Sequence, residues 1–63
     1  MYQLQVYYPE NPVPHATLLA DRGSEVLELI QAALAEHPGC ERVVVTLNST
    51  RLFAIDCAGN RLP

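Results

Sequence analysis

Residues 2–8, YQLQVYY, alternate along the chain: Leu4, Val6 and Tyr8 fall on one side, Gln3, Gln5 and Tyr7 on the other. Period-two alternation predicts a half-buried strand with one wet face. PENPVP, residues 9–14, holds three prolines. Each proline fixes φ and removes a donor, so regular structure stops in a stiff loop. HATLLA, 15–20, reads either as a short strand or as an extended lead-in to the next element.

The period then changes. EVLELIQAALAEH puts apolar residues at 26, 27, 29, 30, 33 and 34, a wide helical stripe. Asp21, Gly23 and Ser24 are candidate caps ahead of it. Glu25 and Glu28 place negative charge near the positive end of the helix dipole. Pro38 disfavours helical geometry at His37, so His37-Pro38-Gly39 ends the helix and leaves His37 at the negative end of the dipole.

CERVVVTLNSTRLFAIDC, 40–57, reads as a β-hairpin with a cysteine at each foot. Its register decides what the cysteines do. A two-residue loop, Asn48-Ser49, sets Cys40 opposite Cys57. A four-residue loop, Asn48 to Arg51, sets Leu47 opposite Leu52 and leaves the cysteines as diagonal neighbours. A three-residue loop, Asn48 to Thr50, gathers Val43, Val45, Leu47, Phe53 and Ile55 on one face and turns the cysteines apart, because a one-residue slip flips a strand's side chains. That third register sorts the core best but needs β-branched Thr50 where a left-handed residue is usual. The even loops are preferred on that ground.

DCAGN, 56–60, is a turn composition. LFAIDCAGNRL locally resembles the aromatic-x-x-Asp-x-x-Gly-Asn-Arg-Leu pattern of YD-type β-repeats. It occurs once, and a strand running into an Asp/Gly/Asn turn yields the same letters. Arg61-Leu62-Pro63 is a tail or the start of a return strand. The order is strand, optional strand, helix, strand, strand. It predicts a single α+β domain over 1–63, a three- or four-stranded sheet with one helix on one face. If strand 2–8 paired in parallel with a hairpin strand, the crossover would be right-handed.

A domain of this length is marginal alone and calls for a staple or a partner. One helix cannot cover both sheet faces, and every register leaves apolar side chains on the second. That surplus predicts a homodimer, with Tyr7, Val44, Phe53 and Ile55 as the candidate contact residues. Seven acids stand against four arginines, with no lysine. The arginines are spread along the chain, so the basic footprint of a nucleic-acid binder is missing. No run is long and apolar enough to span a bilayer, and no basic region leads into an apolar one at the start. The expectation is a cytoplasmic protein, whose arginine and alanine usage suggests a bacterial genome and whose cysteines stay reduced.

His37-Pro-Gly-Cys40, with Cys57 from the far hairpin foot and His15 as the second histidine, is the one metal-like or redox set. His37, Cys40 and Cys57 are therefore the thiol or metal candidates, although paired Cys-x2-Cys or His-x3-His elements are absent. The simpler reading makes the cysteines small apolar core residues. No catalytic triad is legible around His37 or His15. Tyr2, Tyr7, Tyr8 and Phe53 could stack on single-stranded nucleic acid, but without basic neighbours. The expectation is a non-enzymatic binding module, a homodimeric accessory or regulatory protein with no cofactor. A thiol or metal protein and a single-stranded nucleic-acid binder are the alternatives.

Overall fold

The computed structural model describes residues 1–63. The elements run β1 (Tyr2–Tyr7), β2 (Ala16–Ala20), α1 (Gly23–Glu36), β3 (Arg42–Leu47), β4 (Thr50–Asp56) and β5 (Arg61–Leu62). The strands form one antiparallel sheet in the order β2-β1-β3-β4-β5. The α+β class with one helix packed on the sheet is as expected. The sheet has five strands where three or four were expected. The optional segment before the helix pairs as β2, and Arg61–Leu62 turns back on β4 as β5. β1 runs antiparallel to β3, so the conditional parallel crossover between them does not arise.

β1 keeps its alternation. Leu4 faces Val45 and Leu18, and Val6 faces Val43 and Ala16 across the ladders. Leu4, Val6, Val43 and Val45 are fully buried. Each such side chain contributes about 1.5–3 kcal/mol, a large part of the roughly 3–9 kcal/mol that a chain of this length has in total. From the helix, Val26, Ile30 and Ala33 complete this core. α1 lies across β1 and β2, since a helix about 10 Å wide spans roughly two strands spaced at about 4.8 Å.

The helix begins two residues before Glu25. Its N-cap is Arg22, in extended geometry and with no side-chain cap bond, so none of Asp21, Gly23 and Ser24 acts as the cap. A close approach accompanies that start: a Cβ on Gly23 would stand 3.2 Å from the Tyr2 hydroxyl. At the other end the His37 N–H donates to Ala33 O at 3.0 Å, and the helix stops at Glu36.

The hairpin combines two of the expected registers. Asn48 and Ser49 form a two-residue loop with φ of 50° and 72°, and Leu47 pairs with Thr50 and Thr46 with Arg51. Positive φ at both central residues is the type I′ signature, whose twist matches the strands. A β-bulge then leaves Leu52 without a partner, and Val45 pairs with Phe53, Val43 with Ile55. Beyond the bulge the pairing is therefore that of the three-residue loop, which gathers the apolar side chains against the helix.

Ser49 is the residue in this turn that gains least from left-handed geometry. Ser49→Gly is expected to stabilise the fold by on the order of 0.5–1 kcal/mol, read as a higher urea midpoint, because glycine takes φ > 0 without a Cβ penalty. A lowered midpoint would contradict this account of the turn.

Candidate functional site

The chemistry-bearing side chains gather at the hairpin feet. β3 begins at Arg42 and β4 ends at Asp56, so Cys40 and Cys57 both lie outside the paired strands and escape the alternation that would turn them apart. The two thiols are neighbours, close enough for Cys57 to raise the Cys40 thiol. Both are free, Cys40 buried and Cys57 half-buried. The His37 carbonyl organises them: it accepts the Cys40 N–H at 3.3 Å and the Cys57 thiol at 3.7 Å. A helix-end carbonyl has no partner within the helix, and this one is left for the hairpin.

Two further rings join His37. Tyr8 and His15 meet edge to face with centroids 4.8 Å apart. His37 stands 5.7 Å from His15 and 6.3 Å from Tyr8. The backbone holds them there, with His15 N–H donating to Val6 O and Glu41 N–H to Tyr7 O, each at 2.7 Å. Sequence spacing gave no sign that Tyr8 belongs to this set, since the antiparallel return of the chain after the proline loop creates the neighbourhood. The rings pack against one another, and no three His, Cys, Asp or Glu side chains are arranged to hold a metal ion. What the hairpin feet offer is two neighbouring thiols on the His37 carbonyl.

Burial first, then the hydrogen bond and charge of Cys57, push the Cys40 thiol from 9.0 up to about 11. It is therefore protonated and a poor nucleophile near neutral pH. Asp56, at the end of β4, accepts the Asn60 N–H at 2.8 Å and the Ala58 N–H at 3.0 Å. The Asn60 bond leads in holding its carboxyl below the usual value. That is turn chemistry, and it accounts for the Asp/Gly/Asn letters, with Gly59 at a φ of 90°.

The expected contact residues divide between two faces. Tyr7 and Val44 stand on the face away from the helix. There the Arg42 guanidinium lies 4.2 Å over the Tyr7 ring and pairs with Glu41 at 3.2 Å. Phe53 and Ile55 stand on the helix side, Ile55 only 7% exposed and Phe53 under Arg61 at 4.9 Å. The face away from the helix carries the row Thr17, Gln5, Val44, Ala54, Leu62, two polar residues followed by three apolar ones. Arg51, on the face away from the helix, and Arg61, on the helix face, both line one surface cavity at the edge of the sheet.

No family model, no curated protein and no solved structure matches this chain. No helix is long and apolar enough to cross a membrane.

The raised Cys40 thiol has a pH consequence. An unfolded chain releases this proton near 9, the folded one near 11, so between those values the folded state holds more protons. The contribution to stability is complete below pH 9 and is lost as pH climbs towards 11. Urea midpoints of the wild type are expected to fall relative to Cys40→Ala over that window. Parallel profiles for the two proteins would contradict the assignment.

Proposed function

We propose that this chain is a small non-enzymatic binding module that assembles as a homodimer through the free edge of β2, an accessory or regulatory protein of a bacterial cytoplasm. The observation that carries the reading is the difference between the two edges of the sheet. β5 is two residues long, contains Arg61 and runs into Pro63. Shortness, charge and proline are the devices that keep an edge strand from pairing. β2 is five residues long, ATLLA, with no charge and no proline. Its Leu19 is 56% exposed.

A second copy of the chain suits this edge. Antiparallel pairing about a two-fold axis at Leu18 sets Ala16 against Ala20 and Thr17 against Leu19, with no like charges opposed. Ala16, Leu18 and Ala20 lie against the core, so the apolar row would run on into the partner. Each α1 lies over β1 and β2, so the two helices would come about 10 Å apart, near the 8–10 Å of packed helices.

Thr17→Lys with Leu19→Lys tests this, since both side chains are exposed and lysine blunts an edge. Native mass spectrometry and light scattering are expected to find a wild-type dimer, and a double variant that melts cooperatively but dissociates at about tenfold higher concentration or more. A wild type that stays monomeric at about 0.5 mM, or a dimer indifferent to the lysines, removes the proposal.

A second reading rests on the thiol contact. Cys57 is the more exposed thiol and would attack a disulfide oxidant such as oxidised glutathione, releasing one glutathione thiolate. Cys40, once deprotonated, would displace the second and close the internal disulfide, two electrons and two protons having left the protein. Incubated with oxidised glutathione, the protein is then expected to lose about two daltons, and Cys40→Ala to stop at the glutathione adduct. A wild-type mass unchanged under those conditions would make the pair plain core.

A further inference from the structure

We propose that the imidazoles of His15 and His37 chelate a divalent transition-metal ion of the zinc class, an open site that ties the start of β2 to the end of α1. The two ring centroids stand 5.7 Å apart. A zinc–nitrogen bond of about 2.0–2.1 Å puts the ion about 3.2 Å from each ring centre, so two rings sharing it stand about 5.2 Å apart at the tetrahedral angle and about 6.4 Å apart when opposed. The observed separation falls between these limits. The ring planes cross at 78°, whereas in a parallel stack the nitrogens would point past one another. A turn about χ2, a broad torsion in histidine, brings a nitrogen of each ring to the shared point.

The backbone presents both rings from fixed positions. His15 stands immediately before β2 and His37 immediately after α1. The His15 N–H donates to Val6 O at 2.7 Å, and the His37 N–H donates to Ala33 O at 3.0 Å. His15 is exposed and His37 half-buried, so an ion reaches them from solvent. Tyr8 packs on the pair, its centroid 4.8 Å from His15 and 6.3 Å from His37, and gives the site an apolar flank. The thiol of Cys57 meets His37 at the backbone carbonyl, which leaves the imidazole free of that bond.

The donor set decides the class of ion. Imidazole suits zinc, copper and nickel, whereas magnesium and calcium prefer oxygen. A third protein donor is not in place, so water completes the shell and the ion exchanges with solvent. The net charge of −3 favours the approach of a cation. The fold also gains from such a tie, since small domains commonly add disulfides or a metal to a core that is too small. Both cysteines here are free, and the ion pair of the chain joins adjacent residues, Arg42 and Glu41. An ion on His15 and His37 joins segments distant in sequence and binds the folded chain alone, which stabilises it. Neither ligand is a thiol or part of the β2 edge, so the site stands or falls independently of the dimer and of the disulfide.

The test is a titration of the reduced full chain with zinc chloride, followed through the ring nitrogens in long-range ¹H–¹⁵N spectra. Zinc is expected to shift the His15 and His37 rings saturably and to raise the melting temperature, while magnesium chloride at the same concentration does neither. His15→Gln and His37→Gln are each expected to weaken zinc by about tenfold or more and to remove the thermal shift. Cys57→Ala is expected to keep the wild-type affinity within about twofold. Absence of saturation at about 1 mM zinc, unchanged affinity in either histidine variant, or loss of zinc in Cys57→Ala, which would move the ion to the thiols, would overturn the proposal.

Discussion

Two demands on one hairpin conflict in this chain. Asn48-Ser49 makes a two-residue turn of the twist that suits its strands, and such a turn fixes an even register. Burial asks for the odd one, because only that register puts Phe53 and Ile55 on the side of Val43 and Val45. The bulge at Leu52 reconciles them by spending one residue between turn and core. Without it either the turn would open or Phe53 and Ile55 would face away from α1. Everything outward from β3 follows from that residue: the wall of the core, the position where β5 docks, and the bend beside Arg51.

The other side of the sheet is organised by coverage. One helix reaches across β1 and β2 and leaves the β4–β5 side of the same face to smaller devices: Arg61 laid over Phe53, and Leu34 reaching towards the Gly59 turn, where an added Cβ would lie 3.8 Å from its Cδ1. The helix also contributes its last free carbonyl. His37 O binds Cys40 and Cys57 together, so helix end and hairpin feet close on each other through sulfur and backbone. A core this small gains from joining its elements at both ends of the strands.

The legible parts of this fold were those with a strong local period. The alternation of Leu4 and Val6 and the stripe Val26, Ile30, Ala33 each say which face is buried, and these residues are buried, whereas Leu27, read into the same stripe, stands 70% exposed. The fifth strand was legible only as one of two readings, a tail or the start of a return strand, because Arg61–Leu62 is too short to carry a period; it forms since β4 offers it an edge. The bulge was not legible because Leu52 is an ordinary strand residue, and what selects it is the disagreement between turn and core. The same limit governed the candidate sites. His37, Cys40 and Cys57 could be named as a set from their positions at the hairpin feet, whereas Tyr8, brought in by the return of β2, could not. The cap was misread for a different reason: Asp21, Gly23 and Ser24 all have cap chemistry, yet the position fell to Arg22, beside the residue whose missing Cβ lets Tyr2 come close.

The unequal edges of the sheet bear on how far any assembly of this chain could grow. A sheet with two open edges can add copies at both, and head-to-tail addition has no natural end. Here one flank is a five-residue uncharged strand, while the other is two residues closed off by arginine and proline. On the proposed reading such a molecule would have a valence of one for strand pairing. In the proposed dimer that valence is used up on the two-fold axis, leaving a ten-stranded sheet that presents a β5 on each outer flank. A short acidic domain rich in aliphatic strands could then pair with itself and still stop at two, where a chain with two β2-like edges would be set to form fibres.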